Sequence, residues 1–380
     1  MKTKMKLSAT LALACVLALA GYSVAKEKDR FRTRKPAVQI ALLLDTSNSM
    51  DGLIGQAKSQ LWKIVNEFSH ARQDGELPEV QVALFEYGNN RLSAQAGYIR
   101  KVSDFTTDLD LISEKLFALS TDGGQEYCGW VIKDALERLE WSSSARAYKA
   151  VFIAGNEPFT QGSRDYTYSC RSAHNRGVIV NTIFCGNERE GVETMWRDGA
   201  RLGDGKFLVI DQDRACAYIE APQDKELARL SGALNGTYLA YGIGGSVGAQ
   251  RQEKQDRNAA SVASSGALVA RAAAKASENY QNGSWDLVDA AKDKDFRLDS
   301  LKPADLPATM QALPPAERKE FVEKKSRERG ELQTQIQKLN EARTKFVATK
   351  MKESAASNTL DSVVITTVRE QAQTREFRFE

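Results

Sequence analysis

The chain has 380 residues with 53 Lys and Arg against 50 Asp and Glu, so its net charge is close to zero for its size. Such a balance offers no concentrated basic face and argues against nucleic acid or anionic lipid as the partner. The length suits one large domain with an appendage, or two modest domains.

The N-terminus reads as a leader. Lys2, Lys4 and Lys6 precede an apolar run from Leu7 to about Ala20, and Ser23-Val24-Ala25 supplies small residues for cleavage after Ala25. The run is short for a membrane span. Cys15 lies inside it rather than at its end, which disfavours a lipid anchor. Residues 1–25 hold three lysines and no acid, so the processed chain carries 50 basic against 50 acidic residues. A periplasmic or secreted protein is expected. Cys128, Cys170, Cys185 and Cys216 follow the leader, and an even number in an oxidising compartment predicts at least one disulfide, with three pairings open. No pair has the close spacing of a zinc knuckle.

Val38–Leu44 is a continuous apolar run that suits a strand buried on both faces. A helical pattern follows from Ser49 to Phe68. Val80–Tyr87 is the next strand, and Tyr98–Val102 a short one. Leu109–Leu119 and Trp130–Leu139 read as helices. Ala150–Ala154 and Val178–Phe184 are further buried strands, with a helix around Ser169–Arg176 between them. A helix over Val192–Leu202, a strand at Phe207–Ile210 and a helix over Asp224–Leu234 complete the pattern. Strands alternating with helices imply an α/β fold: a doubly wound, mostly parallel sheet over residues 36–242. Residues 243–300 read as a linker and partly helical segment, in which 242–276, rich in Gly, Ala, Ser and charge, is a flexible link or a weakly amphipathic helix. Residues 301–380 read as a mainly helical C-terminal region. There Leu332, Ile336, Leu339 and Phe346 form a stripe too short for a coiled coil but suited to packing on neighbours or on a second copy. Phe377-Arg-Phe379 can dock or add a short strand.

Ligands of such sheets collect at the carboxyl ends of the strands. The first strand ends in Asp45-Thr-Ser47-Asn-Ser49, where alternate residues offer a carboxylate and two hydroxyls. Hard oxygen donors of this kind suit Mg2+ or Mn2+, with Ca2+ as a further choice. The plain alternative is an Asp turn with a Ser helix cap. Gly88-Asn89, Gly155-Asn156-Glu157 and Gly186-Asn187-Glu188 end other strands and are explained as well by turn chemistry. The cysteines fall on the same side, where disulfides would brace the rim.

With Leu-Leu-Leu-Asp45-Thr-Ser47-Asn-Ser49-Met50 after a buried first strand, residues 36–242 resemble the von Willebrand factor A (vWA) family. Its members carry D-x-S-x-S as the core of a metal-ion-dependent adhesion site. The resemblance implies a Thr ligand from a later loop. The matching stretch, Thr121-Asp-Gly-Gly-Gln-Glu126, does not place one cleanly, and Thr121 and Glu126 are both candidates. It also implies an Asp after the fourth strand, where an ungapped match puts Gly155.

Enzyme signals are weak. Gly244-Gly-Ser246-Val-Gly248 matches a nucleophile elbow, but both histidines, His70 and His174, precede it, whereas the triad order requires one after the Ser. Asp122 and Glu126 could form a hydrolytic acid pair only at a suitable separation. The favoured expectation is a non-enzymatic module of the cell envelope that engages a protein partner through a divalent cation, the partner contributing an acidic ligand as vWA partners often do. The rival is an envelope scaffold acting through its C-terminal helices, with the metal structural or absent.

Overall fold

The apolar run after Pro36 forms the central strand β1 (Ala37–Asp45), buried along almost its whole length. In the computed structural model the described residues are 35–50, 61–210, 218–262, 266–353 and 360–379. Those from Ala37 onward belong to one compact unit.

The other strands are β2 (Ala71–Arg72), β3 (Glu79–Tyr87), β4 (Ile99–Thr106), β5 (Tyr148–Gly155), β6 (Ile179–Cys185), β7 (Phe207–Ile210) and β8 (Arg378–Phe379). The main sheet runs β4-β3-β1-β5-β6-β7. Every neighbour pair in it is parallel except β3–β4. Strand β1 thus lies between β3 and β5, where the winding of the sheet reverses. That reversal opens a crevice above its carboxyl end. Asp45 is at that end, opposite Tyr87 in register.

Strand β4 runs longer than its apolar content announces. Arg100, Lys101, Ser103 and Asp104 lie within it, a composition that suits a protected edge strand. The helix expected over Val192–Leu202 is two helices, Glu188–Glu193 and Trp196–Leu202, divided at Met195 with φ 70°. The break turns Trp196 inward. Its ring packs against Phe159 and Phe184 at 4.8 and 5.7 Å, and its indole N–H donates to the Glu157 carbonyl at 2.8 Å.

Both faces of the sheet are covered. On one, helices Cys128–Arg138, Tyr166–Asn175 and Trp196–Leu202 pack over Leu43, Phe85, Val151 and Ile153. On the other, a helix over 61–69 lies with Leu109–Phe117, Ala267–Lys275 and Leu360–Gln373 over Ile40, Leu42, Val82 and Phe152. The start of the helix expected from Ser49 falls partly outside the described residues.

The described residues of 243–300 are folded. Helices Gly245–Ser261 and Ala267–Lys275 pack on the sheet domain through a buried ionic cluster. Arg271, with no exposed surface, reaches Asp110 and Asp256 at 2.5 Å each. It also lies over the Trp62 ring at 4.7 Å. Lys275 pairs with Asp256 at 3.0 Å, and the Tyr280 hydroxyl donates to Asp110 at 2.6 Å. The long helix Pro315–Glu353 docks through Ile336 on Leu227, Leu230 and Leu234, and through Arg329 on Asp286 and Asp289 at 2.7 and 3.0 Å.

The chain then returns to the sheet. The Gln371 amide bonds Asn181 of β6 and accepts from the Tyr148 hydroxyl of β5. Phe377 meets Phe68, and β8 pairs antiparallel with β2. Phe377-Arg-Phe379 therefore both docks and adds a strand.

The disulfide expectation is corrected for Cys128 and Cys170, which are free thiols buried in the apolar layer under the sheet. Cys128 begins a helix beneath Tyr87, and Cys170 lies inside helix Tyr166–Asn175 rather than in a rim loop. Cys185 ends β6 and is buried. Cys216 lies outside the described residues.

Candidate functional site

The carboxyl end of β1 delivers Asp45 into a fully buried position. Its Oδ1 accepts the backbone N–H of Ser47 at 2.7 Å, which fixes the turn. The turn is held on two further sides. Thr46 N–H donates to the Tyr87 carbonyl at 2.9 Å, and Asp122 N–H donates to the Thr46 carbonyl at 3.0 Å. Ser49 lies in a short 3-10 turn, Asn48–Met50, with its side chain outside the described set.

Loop 119–127 folds over this turn, and two glycines permit it. A Cβ on Gly124 would stand 2.3 Å from the Gly88 carbonyl oxygen. Gly88 itself has φ 78°, and a Cβ there would stand 2.7 Å from Asp45 Oδ1 and 2.8 Å from Glu126 Cγ. The loop thereby carries Glu126 to Asp45. Their carboxyl groups lie within hydrogen-bonding reach of each other, and the Ser47 hydroxyl serves both. Glu126 Oε2 also accepts the Glu157 N–H at 3.3 Å, while the Glu126 N–H donates to the Gln161 side chain.

The electrostatics of this pair are unusual. Burial raises the pKa of Asp45 well above the usual carboxylate range, and the adjoining Glu126 raises it further against the help of Ser47. Glu126 is raised by burial too, with the Glu157 charge adding to it. Neither carboxyl has a Lys or Arg among its strongest influences. Asp45 Oδ2 is buried and receives no hydrogen bond. Two acids enclosed without a base need a shared proton or a cation between them.

The donor set fits a hard cation: the Asp45 and Glu126 carboxylates and the Ser47 hydroxyl. Among the described residues no group of three or more His, Cys, Asp or Glu converges, so hydroxyls or water would complete such a shell. Thr121 is half-buried between Ser120, whose carbonyl accepts from Asn89, and Asp122. It lies alongside the turn.

Gly155, where the vWA pattern has an Asp, has no room for a side chain. A Cβ there would be 2.6 Å from the Tyr87 hydroxyl and 3.2 Å from Asp45 Cβ. Tyr87 fills the space and donates to the Ala154 carbonyl at 2.9 Å. The second acid of the site comes instead from the other side, as Glu126.

Asn89 is a residue the sequence left as ordinary turn chemistry. Its amide donates to the Thr46 carbonyl and hydroxyl at 3.3 Å each and to the Ser120 carbonyl at 2.9 Å, tying the β3 end to both the turn and the loop. Its burial is the distinguishing property, and sequence does not report it. Asp122 faces outward onto Arg91 at 3.0 Å. Ser246 of the elbow-like motif is exposed on the first turn of a helix and accepts from Gln250, while Gly248 makes room for Trp285.

Beside Glu126 the rim carries aromatic side chains. Tyr127 stacks on Trp130 with centroids 6.1 Å apart, Tyr98 meets Tyr127 edge-on at 5.9 Å, and the Arg164 guanidinium lies over Trp130 at 5.2 Å. Tyr168 and Met195 are exposed.

No protein-family model and no curated protein matches the chain. Solved structures do. Proximal thread matrix protein 1 from the mussel byssus has a TM-score of 0.35 and 15% identity, over 47% of this chain and 42% of its own. The SpRpn10 VWA domain has a TM-score of 0.34 and 14% identity, over 47% and 88%. A von Willebrand factor type A protein from Catenulispora acidiphila has a TM-score of 0.35 and 15% identity, over 48% and 40%. The chain thus spans about two fifths of the mussel and Catenulispora proteins. The described sheet is doubly wound with one antiparallel edge, and the named solved structures to which the chain is similar include von Willebrand factor A domains.

Proposed function

We propose that this chain is a non-catalytic protein-interaction module of the cell envelope, whose recognition rim is shaped by a divalent cation at Asp45, Ser47, Ser49 and Glu126, with Thr121 alongside. The observation that carries the reading is the buried Asp45 oxygen left without a donor against a second buried carboxyl. An oxygen-only donor set favours Mg2+, Mn2+ or Ca2+ over softer metals. Tyr98, Tyr127, Trp130 and Arg164 belong to the residue types enriched at protein interfaces, and they adjoin the loop that the cation would hold. The envelope assignment follows the leader-like N-terminus, and among the described residues no helix is long and apolar enough to cross a membrane.

Titration calorimetry of the full chain with MgCl2, MnCl2 and CaCl2 tests the site, paired with pull-down from envelope extracts with and without EDTA. Wild type is expected to bind one cation and to lose its partner in EDTA, and Asp45→Ala is expected to bind neither cation nor partner. Equal cation uptake by wild type and Asp45→Ala would remove the assignment.

A further inference from the structure

We propose that Glu126 is an internal acidic ligand: the chain itself fills the coordination position that would otherwise receive a carboxylate from a partner. This rests on the cation reading above and changes what the partner must bring. Three observations lead to it. First, Asp45 keeps a buried, unpartnered oxygen, and Glu126 of the same chain meets Asp45 across Gly88, whose Cβ position is 2.7 Å from Asp45 Oδ1 and 2.8 Å from Glu126 Cγ. Second, the pair is closed off. Asp45 is 0% exposed, Glu126 2% and Ser47 5%, so an incoming side chain has no open path to them. Third, the backbone is shaped around this approach. Gly88 and Gly124 lack the side chains that would push the loop away, and the Glu157 and Gln161 contacts hold Glu126 at its far side.

The charge arithmetic agrees. A divalent cation between two carboxylates is formally neutral, which leaves no excess positive charge to draw a third acid out of water. A site with one carboxylate would keep one positive charge and would recruit an anion. The cation in this chain therefore clasps loop 119–127 to the β1 turn. Partner contact then falls to the surface next to the clasp, where Tyr127 follows Glu126 directly and stacks on Trp130. The partner needs no acidic residue aimed at the metal.

Acetate is the probe that separates an internal from an external acid. Affinity for Mn2+ is measured on the full chain by calorimetry with and without acetate at constant ionic strength. The proteins are wild type, Glu126→Gln, Glu126→Ala and Asp45→Ala, each checked for folding by circular dichroism. Losing a direct ligand is expected to weaken binding at least as much as losing an outer-sphere partner does, roughly 10–100-fold. Acetate is expected to restore binding to Glu126→Ala, whose deleted side chain vacates the position, and to leave wild type unchanged. Equal affinity in wild type and Glu126→Gln overturns the inference while leaving the cation reading standing. Tighter wild-type binding in acetate also overturns it, because an external carboxylate would then be entering; this arm needs no variant to fold. A wild type that binds no cation removes the underlying reading and this inference with it.

Discussion

Two of the buried acid groups among the described residues differ in whether a base faces them. Between the sheet domain and helices 245–275, Asp110 and Asp256 face Arg271 and Lys275. At the carboxyl end of β1, Asp45 faces Glu126. Burial pushes Asp256, Asp45 and Glu126 alike toward their protonated forms, but the outcomes differ. Lys275 and Arg271 pull Asp256 back below the usual carboxylate range, whereas Glu126 drives Asp45 further up. The ionic cluster is complete within the chain and joins two layers of the fold. In the other pair, one oxygen of Asp45 is buried without a hydrogen bond. The presence of facing bases separates the two.

The largest expected effect comes from breaking the self-sufficient cluster. Arg271→Met strands Asp110 against Tyr280 in an apolar layer and is expected to cost about 3–5 kcal/mol in urea unfolding. Adding Asp110→Asn should recover much of that loss; no recovery would show that packing on Trp62, rather than charge, is what Arg271 supplies.

A smaller effect tests the same cluster by pH. Burial lowers Lys275 to about 8 from 10.5, against the upward pull of Asp256. Below pH 8 the lysine is charged in both the folded and unfolded chains, and its desolvation penalty is fully present. Between about 8 and 10.5 the unfolded chain holds more protons, so this group makes stability rise with pH, by on the order of 2–3 kcal/mol. Wild type should gain on Lys275→Met across that window in chemical denaturation. A difference that stays flat with pH would mean that Lys275 keeps its charge throughout.

The smallest effect has the opposite sign. Asp45→Asn removes one of two facing carboxylates and gives Glu126 an amide donor. The metal-free protein at neutral pH is expected to gain about 1–3 kcal/mol, the scale of a relieved buried polar penalty. Its melting temperature should no longer respond to added Mg2+. A metal-free Asn variant less stable than wild type would contradict the picture of an uncompensated pair.

The sequence makes β1, β3, β5, β6 and β7 legible because strands covered on both faces leave continuous apolar runs. Strand β4 hides its length behind Arg100, Lys101 and Asp104, since an edge strand has one side in water. The division at Met195 was not legible: the residues on either side fit one helical pattern, and only the burial of Trp196 between Phe159 and Phe184 explains the break. At the site, Asp45 and Ser47 can be read from their spacing. Glu126 can be named but not placed, because its approach depends on Gly88 and Gly124, which reads only as backbone freedom in sequence. The cysteine count indicates a compartment and says nothing of geometry, so the free thiols of Cys128 and Cys170 went against it.

The return of the C-terminal segment to the sheet bears on how the molecule comes into being. Tyr148 and Asn181 wait for Gln371, and Phe68 waits for Phe377, across separations of about 190 to 310 residues. A chain emerging from its N-terminus cannot finish the amino end of its sheet until residue 377 has been made. The topology therefore couples completion of this part of the core to synthesis of the segment around residues 371–379, and keeps the growing chain in an unfinished state until then.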